Sequence, residues 1–185
     1  DPPHPVMELR TARYAAVLIG SAGAHEPVDE LHSRVVGVVL AAGQSTRFGN
    51  DTPKQLLPWG QENTLVGHAV DTALAAATLD EVLVITGYQA DAVAAAVGRR
   101  PARCVFNPQW QRGQSSSVHA ALAALAPDTA AVVFLLADQP AVSASTIDTL
   151  VEAHRRSLAP IIAQATPMAN AAILCSSTAL GSPSS

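Results

Sequence analysis

The sequence predicts an α/β domain built on a mostly parallel sheet with helices packed on both of its faces. Two observations support this prediction. Short apolar runs of Val, Ile and Leu alternate with Ala-rich stretches of helical period, and small or polar residues follow the apolar runs. Parallel strands need crossover connections, and right-handed helical crossovers cover the sheet in layers. We therefore expect three layers in the order α/β/α.

Five apolar runs are predicted to be strands. Residues 35–40 form a β-branched run that ends just before Gly43, as expected for a strand buried on both faces. Residues 81–86 form the second run, which Gly87 stops. The other three runs are residues 103–106, residues 130–136 and a run that begins at Pro160 and continues to Ala163.

Four stretches between these runs are predicted to be helices. In residues 64–77 the apolar side chains recur on one face, and Thr64 is a suitable N-cap. Residues 91–97 are rich in Ala and stop at Gly98, a residue type that commonly ends helices. Residues 115–125 follow, with Ser115 or Ser116 as the expected cap, and residues 143–156 form the last helix.

The composition excludes several classes of protein. Hydrophobic residues make up 49% of the chain and charged residues 14%, which favours a large core and argues against disorder. The net charge of -4 shows no basic surplus, so we expect no nucleic-acid partner. No apolar run reaches the roughly 20 residues that span a bilayer, so we expect no membrane association. Cys104 and Cys175 lack CxxC spacing, which fits a reducing compartment and predicts a cytoplasmic protein.

Three regions differ in amino-acid composition and in residue pattern, and these differences predict the domain organisation. Residues 1–34 are punctuated by Pro and charge and are expected to be an N-terminal arm or linker. Residues 35–163 carry the strand and helix alternation and form the predicted domain. Residues 164–185 contain Ala, Ser, Thr and Pro without any charged residue, and we expect an atypical low-complexity tail that lacks strands and helices.

Ligands of such sheets bind outside the carboxyl ends of the strands. The positions after Leu40, Ile85, Phe106 and Leu136 are therefore the expected binding edge. After Leu40, the side chains of Ala41, Ala42 and Gly43 are so small that a base or phosphate can approach the backbone. Arg47 and Lys54 supply positive charge for phosphates, although the loop is not a Walker loop. The alternative is a plain turn whose arginine is solvated.

The order of three motifs resembles the signature of nucleotidyltransferases with a glycosyltransferase-A-like fold. The first motif joins Leu40-Ala-Ala-Gly, Arg47-Phe-Gly and Pro53-Lys-Gln. The second is Gly113-Gln-Ser-Ser-Ser before a helix, and the third is Leu136-Ala-Asp-Gln-Pro. The molybdenum cofactor cytidylyltransferases look most similar, over about residues 35–163. The resemblance implies a Rossmann-like three-layer α/β/α fold of the nucleotide-diphospho-sugar transferase type.

The resemblance also implies roles for individual residues. Arg47 and Lys54 would be catalytic and neutralise the phosphates, with Lys54 near the α-phosphorus. Asp138 would hold Mg²⁺. The nucleotide would be bound by Leu40, Ala41, Ala42, Gly43, Gln44, Ser45, Arg47, Lys54, Gln55, Gly87, Asn107, Gly113 and Ser115.

Chemistry supports a carboxylate at Asp138 independently of the resemblance. Attack on an α-phosphorus builds negative charge on the phosphoryl oxygens and on the departing pyrophosphate, and Mg²⁺ bridging those oxygens stabilises both. Mg²⁺ takes one or two carboxylates and keeps several waters. Asp138 follows a buried apolar run and precedes Pro140, at the expected binding edge. The alternative is that Asp138 merely caps a loop or helix.

The implied reaction transfers CMP from CTP to a molybdopterin-type cofactor, with release of pyrophosphate and with a molybdoenzyme or its chaperone as a further partner. GTP or another triphosphate and another phosphorylated acceptor, such as an isoprenoid or sugar phosphate, are the enzymatic alternatives. A noncatalytic module that binds nucleotide or cofactor is the alternative from another class.

His68 and His119 are expected at the surface or at positions where their hydrogen-bonding groups are satisfied. Trp59 and Trp110 are expected to pack, with stacking on an acceptor ring as the alternative.

The tail lacks a segment that the resemblance predicts, Pro-x-Tyr followed by Gly-x-Arg-Gly-Asn-Pro-Val-x-Phe. Codons that start at the third base of the written ones permit the second string in order from Met168, and they force its first Gly. We therefore expect a frameshift near Ala163, with a genuine low-complexity tail as the alternative. Without the segment, the chain is expected to lose strands and part of its acceptor pocket and to be less stable. Sequencing the coding DNA tests this directly.

Overall fold

The computed structural model describes residues 34–44, 52–157, 161–166 and 169–175. In this part of the chain the main sheet has six strands in the order β5-β4-β1-β6-β8-β7. Their bounds are β1 Arg34–Ala41, β4 Glu81–Thr86, β5 Arg103–Phe106, β6 Thr129–Leu136, β7 Ile161–Thr166 and β8 Ala169–Cys175. A separate two-stranded ribbon pairs β2, Pro58–Trp59, with β3, Asn63–Thr64. Four neighbouring strands, β5, β4, β1 and β6, are parallel, which confirms the predicted sheet.

Helices pack on both faces of the sheet and complete the three predicted layers. The four helices of the described residues are α1 Leu65–Ala75, α2 Ala90–Val97, α3 Gln114–Ala123 and α4 Ala144–Ser157. Side chains of α1, α2 and α4 share one core cluster with the sheet, whereas α3 contributes to the other cluster. The two 3-10 turns described are Lys54–Leu56 and Trp110–Arg112.

Alternation along β1 explains why a single strand contributes to both cores. Val35 and Val39 point toward the cluster of α1, α2 and α4, whereas Val36 and Val38 point toward the cluster of α3. All four side chains are fully buried. Burying a Val or Leu side chain is worth about 1.5–3 kcal/mol, so β1 anchors the sheet from its centre.

Local sequence signals place most element ends where they were predicted. Thr64 caps α1 by accepting a hydrogen bond from the Gly67 N–H at 3.1 Å. Gly98 ends α2 with φ of 64°, a left-handed conformation that glycine adopts without strain. Ser143 accepts from the Thr146 N–H at 3.2 Å just before α4. Arg34, which was assigned to the arm, instead belongs to β1, because it pairs with Thr129 of β6.

Two predictions were wrong, one on the cap of α3 and one on the absence of strands in the tail. The cap of α3 is Gly113 rather than Ser115 or Ser116, because the Ser116 hydroxyl donates to the carbonyls of Gln109 and Gly113 and is not placed to cap. The tail forms strands, because residues 169–175 contain an apolar run that can pair with β6. Strand β8 lies antiparallel to β6, with Ile173 opposite Val133, and covers an edge that β6 would otherwise expose. The N-terminal arm up to residue 33 and the end of the tail lie outside the described residues.

No helix in the described ranges combines the length and the apolar character needed to cross a bilayer.

An ion pair between helix α1 and the end of α2 makes stability depend on pH. The Arg100 guanidinium donates to the Asp71 carboxylate at 2.5 Å and 2.9 Å, and this hydrogen bonding lowers the pKa of Asp71. A lowered carboxyl pKa stabilises the fold at neutral pH, and this contribution is lost as pH falls through the folded-state pKa. We expect Asp71→Asn to destabilise the protein by less than about 1 kcal/mol at pH 7, because the carboxylate is half exposed, and by less at an acidic pH that protonates this carboxyl group in the folded state. Urea denaturation at both pH values measures the difference. If Asp71→Asn lowers the free energy of unfolding by the same amount at both pH values, the ion-pair explanation is contradicted.

Candidate active site

A cavity of about 460 Å³ opens at the carboxyl ends of β1 and β6. Its position agrees with the rule that ligands of parallel sheets bind at this edge. The residues that line it come from the loop after β1, the 3-10 turns, the start of α3 and the end of β6: Leu40, Ala41, Ala42, Gly43, Gln44, Gln55, Trp110, Gln111, Gly113, Gln114, Ser117, Leu136, Ala137 and Asp138.

Gln55 fixes the loop after β1 through hydrogen bonds to the backbone of that loop. The Gln55 side chain is 5% exposed, and its amide nitrogen donates to the carbonyls of Ala41 at 3.1 Å and Gly43 at 3.0 Å. Both partners can only accept, so the amide orientation is determined and both of its N–H donors are committed. Gln55 therefore holds the backbone of residues 41–43 in place, and Ala41 and Ala42 present only small side chains to the cavity.

A salt bridge brings together the two predicted residues of opposite charge. The Lys54 ammonium, on the first 3-10 turn, lies 3.0 Å from the Asp138 carboxylate, two residues beyond β6. The Ala137 N–H donates to the Leu40 carbonyl at 3.2 Å, so the pairing of β1 with β6 continues up to Asp138. This pairing places the carboxylate directly beside the loop that follows β1.

The turn that carries Asp138 is supported by an aromatic pair. The His68 Nε2–H donates to the Pro140 carbonyl at 3.2 Å, and the His68 ring lies 5.3 Å from the Trp59 ring, measured between centroids. His68 therefore occupies a satisfied position that ties α1 to this turn. His119 is exposed on α3.

Asn107 organises the opposite wall of the cavity. Its side chain is 2% exposed and donates to the hydroxyls of Ser116 at 2.9 Å and Ser117 at 3.1 Å. Its carbonyl oxygen accepts from the Gln109 N–H at 2.9 Å. The structure thus places Asn107 behind the lining, where it fixes the segment from Gln109 to Ser117.

Gly87 permits close contact between two walls of the cavity. A Cβ atom built on Gly87 would lie 2.5 Å from the Trp110 Cβ and 2.8 Å from the Ala42 carbonyl oxygen. Those distances are too short for carbon and oxygen atoms, so any larger residue must push Trp110 or the loop after β1 outward. Gly87 thus acts through packing beside the cavity rather than by lining it.

Replacing Gly87 by Ala is expected to destabilise the protein by about 1–3 kcal/mol, the usual cost of overpacking. Gly43→Ala is the matched control, since a Cβ at Gly43 would meet nothing within 4 Å. Thermal denaturation of the two variants measures the difference. If Gly87→Ala is as stable as Gly43→Ala, the packing described around Gly87 is incorrect.

The remaining residues that were predicted to bind nucleotide do not all line the cavity. Gly113 lines the cavity at the start of α3, whereas Ser115 is exposed and does not line it. Ser117 lines the cavity instead and was missed, although helical spacing places it on the same buried face as Ala121, four residues later. Trp110, for which packing was expected and ligand stacking was the alternative, also lines the cavity. Gln111, Gln114, Leu136 and Ala137 line it without having been named as site residues. Ser45 and Arg47 lie outside the described residues and stay predictions.

The residues present fit a magnesium ion. Asp138 is the one carboxylate that lines the cavity within the described ranges, and those ranges hold no cluster of three or more His, Cys, Asp or Glu residues suited to a metal. Mg²⁺ commonly binds through one or two carboxylates, substrate phosphates and waters, so a single aspartate beside a triphosphate suffices.

Known proteins share this architecture. Nicotine blue oxidoreductase from Paenarthrobacter nicotinovorans is 40% identical over 126 residues, which cover 65% of this chain and 57% of that protein. The chain thus spans little more than half the length of this curated relative. The crystal structure of Rv0371c from Mycobacterium tuberculosis H37Rv superposes with a TM-score of 0.67 and 31% identity, covering 77% of this chain and 72% of that one.

Two further solved structures are similar to this chain. Rv0371c in complex with manganese gives a TM-score of 0.63 at 28% identity, over 77% of this chain and 71% of that one. A nucleotidyl transferase from Methanothermobacter thermautotroptrophicus gives 0.58 at 30% identity, over 64% of this chain and 57% of that one.

The family model described as "MobA-like NTP transferase domain" matches residues 37–182. The match extends well beyond Ala163, where the motifs had suggested that the resemblance ends, so the tail is part of the matched region. Together with the parallel sheet and the cavity at its carboxyl edge, this match shows that the chain belongs to the family of MobA-like NTP transferase domains.

Proposed function

We propose that this chain is a nucleotidyltransferase that transfers a nucleoside monophosphate from a triphosphate to a phosphate on an acceptor and releases pyrophosphate. The observation that carries the proposal is the Lys54–Asp138 pair, 3.0 Å apart, beside a cavity lined by the backbone of the loop after β1. This arrangement supplies a positive group and a metal-binding carboxylate where a phosphate chain would approach.

Each group has a distinct part in the proposed reaction. The Lys54 ammonium attracts the triphosphate and stabilises charge that develops on the phosphoryl oxygens. Asp138 would hold Mg²⁺, which when bound neutralises the oxygens of the phosphates. Gln55 keeps the loop of residues 41–43 open to the base and ribose. Arg47, from the same loop by sequence, is proposed to contact the phosphates as well.

The proposed nucleotide is CTP and the proposed acceptor a molybdopterin-type cofactor, with a molybdoenzyme or its chaperone receiving the product. The support is the order of the motifs around Leu40, Lys54 and Asp138, which resembles the molybdenum cofactor cytidylyltransferases. GTP or another triphosphate with another phosphorylated acceptor is the alternative within the same transferase reaction.

A redox function is a second candidate, which the name of one relative favours. The Paenarthrobacter protein that is 40% identical is called nicotine blue oxidoreductase. A noncatalytic module that binds nucleotide without turnover remains the third candidate. These three candidates predict different products and can therefore be separated in one set of assays.

The experiment measures pyrophosphate release from each of the four triphosphates, with Mg²⁺ and molybdopterin or other phosphorylated acceptors. We expect release with CTP that requires the acceptor. Binding of CTP without release would favour the module. Decolourisation of nicotine blue with a nicotinamide or flavin reductant, but no pyrophosphate, would favour the oxidoreductase.

A further inference from the structure

Trp110 is a lining residue of the cavity that lies beside a second aromatic ring. Its ring centroid lies 5.4 Å from that of Tyr88, with the ring planes tilted by 53°. Tyr88 does not itself line the cavity. The Tyr88 ring therefore packs beside the indole and limits the space into which the indole can turn.

The Trp110 side chain also lies close to the loop after β1. The Trp110 Cβ and the Ala42 carbonyl oxygen would lie 2.5 Å and 2.8 Å from a Cβ on Gly87, so the absence of that atom lets both approach. The Tyr88 N–H donates to the same Ala42 carbonyl at 3.1 Å, which fixes the spacing. The indole thus adjoins the stretch of backbone at which a flat ring can approach most closely.

The strand order separates the aromatic end of the cavity from its charged end. Strands β4 and β5 lie on one side of β1, and β6 lies on the other. Gly87 directly follows β4 and Trp110 follows β5, whereas Asp138 follows β6. Trp110 and the Lys54–Asp138 pair therefore flank the loop after β1 from opposite sides. A nucleotide that places its phosphates at Lys54 extends its base toward Trp110.

We propose that Trp110 is a nucleotide-binding residue on which the nucleobase of the bound triphosphate stacks. This inference rests on the proposed function, because it takes the ligand to be a nucleoside triphosphate. Stacking of a base on an aromatic side chain tolerates any base, so Trp110 contributes affinity for the presence of a base and little discrimination among bases. The aromatic ring recognises the flat heterocycle, whereas Lys54 recognises charge.

The experiment compares CTP with inorganic tripolyphosphate, which carries the phosphates without base or ribose. Calorimetry with Mg²⁺ gives the dissociation constants of both for wild type, Trp110→Ala, Trp110→Phe and Trp59→Phe. We expect Trp110→Ala to weaken CTP binding by about 5- to 150-fold, the range for one stacked base, and to leave tripolyphosphate binding unchanged. Trp110→Phe should retain part of the preference, and Trp59→Phe all of it, since Trp59 does not line the cavity.

Several outcomes would overturn the inference. Equal weakening of CTP and tripolyphosphate by Trp110→Ala means that the indole has only a structural role. Unchanged affinity for both ligands means that the base lies elsewhere and that Trp110 faces the acceptor or no ligand. If Trp110→Ala does not fold, Trp110→Leu and Trp110→Phe decide the same comparison. If wild type binds tripolyphosphate but gains nothing from the base, the inference fails and the transferase proposal is judged by pyrophosphate release. If wild type binds neither, both fail.

Discussion

Replacing Asp138 by Asn is expected to lower the rate of pyrophosphate release by about 100-fold or more, because removing several kcal/mol of charge stabilisation costs a factor of ten per 1.4 kcal/mol. The amide keeps the size of the carboxylate but loses the charge that would hold Mg²⁺ and that faces Lys54 at 3.0 Å. Stability should change by less than about 1 kcal/mol, because the Asp138 side chain is 41% exposed and surface pairs contribute little. Steady-state release from CTP and urea denaturation measure the two quantities.

Asp91→Asn is the matched control, since it makes the same chemical change at an exposed position on α2 away from the cavity. We expect wild-type activity from this control. If Asp138→Asn also retains wild-type activity, Asp138 does no more than shape its turn, and the metal assignment is wrong. Asp138→Ala should behave like Asp138→Asn if the charge is what matters.

Replacing Gln55 by Glu is expected to cost about 3–5 kcal/mol of stability, the penalty for leaving a buried charge without a partner. The substitution preserves shape but turns a donor of two hydrogen bonds into a carboxylate that faces the carbonyl oxygens of Ala41 and Gly43. Small domains have only about 5–15 kcal/mol of stability in total, so the loss is large. The loop after β1 must also move, so affinity for CTP should fall in whatever fraction remains folded.

The measurement is urea denaturation of Gln55→Glu beside Gln61→Glu. Gln61 is exposed, so the same exchange there changes charge without burying it, and it should leave stability near that of wild type. Equal stability of the two variants would show that Gln55 does not hold the loop as described.

The fold could be predicted from the sequence because its elements follow local rules. The run of β-branched residues in β1 and the glycines after β4 and α2 mark element ends through chemistry that each segment carries by itself. The cap of α3 could not be predicted, because the Ser116 hydroxyl is engaged by Gln109, seven residues away. The start of β7 was predicted as the fifth strand, whereas β8 was missed because its pairing with β6 is a long-range contact.

The candidate site could be predicted only in part for the same reason. Polar residues at strand ends identified the edge of the sheet where the cavity lies. Contacts across that edge depend on the tertiary structure: Lys54 and Asp138 are 84 residues apart in sequence, and nothing in either segment predicts that they pair. Asn107 was predicted in the nucleotide pocket, yet its hydrogen bonds go to Ser116 and Ser117. Ser117 was overlooked because three consecutive serines look alike until the helix gives them different faces.

The central claim is that the cavity beside Lys54 and Asp138 binds a nucleoside triphosphate. Hydrogen–deuterium exchange with and without CTP and Mg²⁺ tests it most directly, because bound ligand slows exchange of the amides that it covers or orders. We predict protection in the loop after β1, around Lys54 and Gln55, at the start of α3 and at Asp138. Protection confined to other segments, or none at saturating CTP, would contradict the claim.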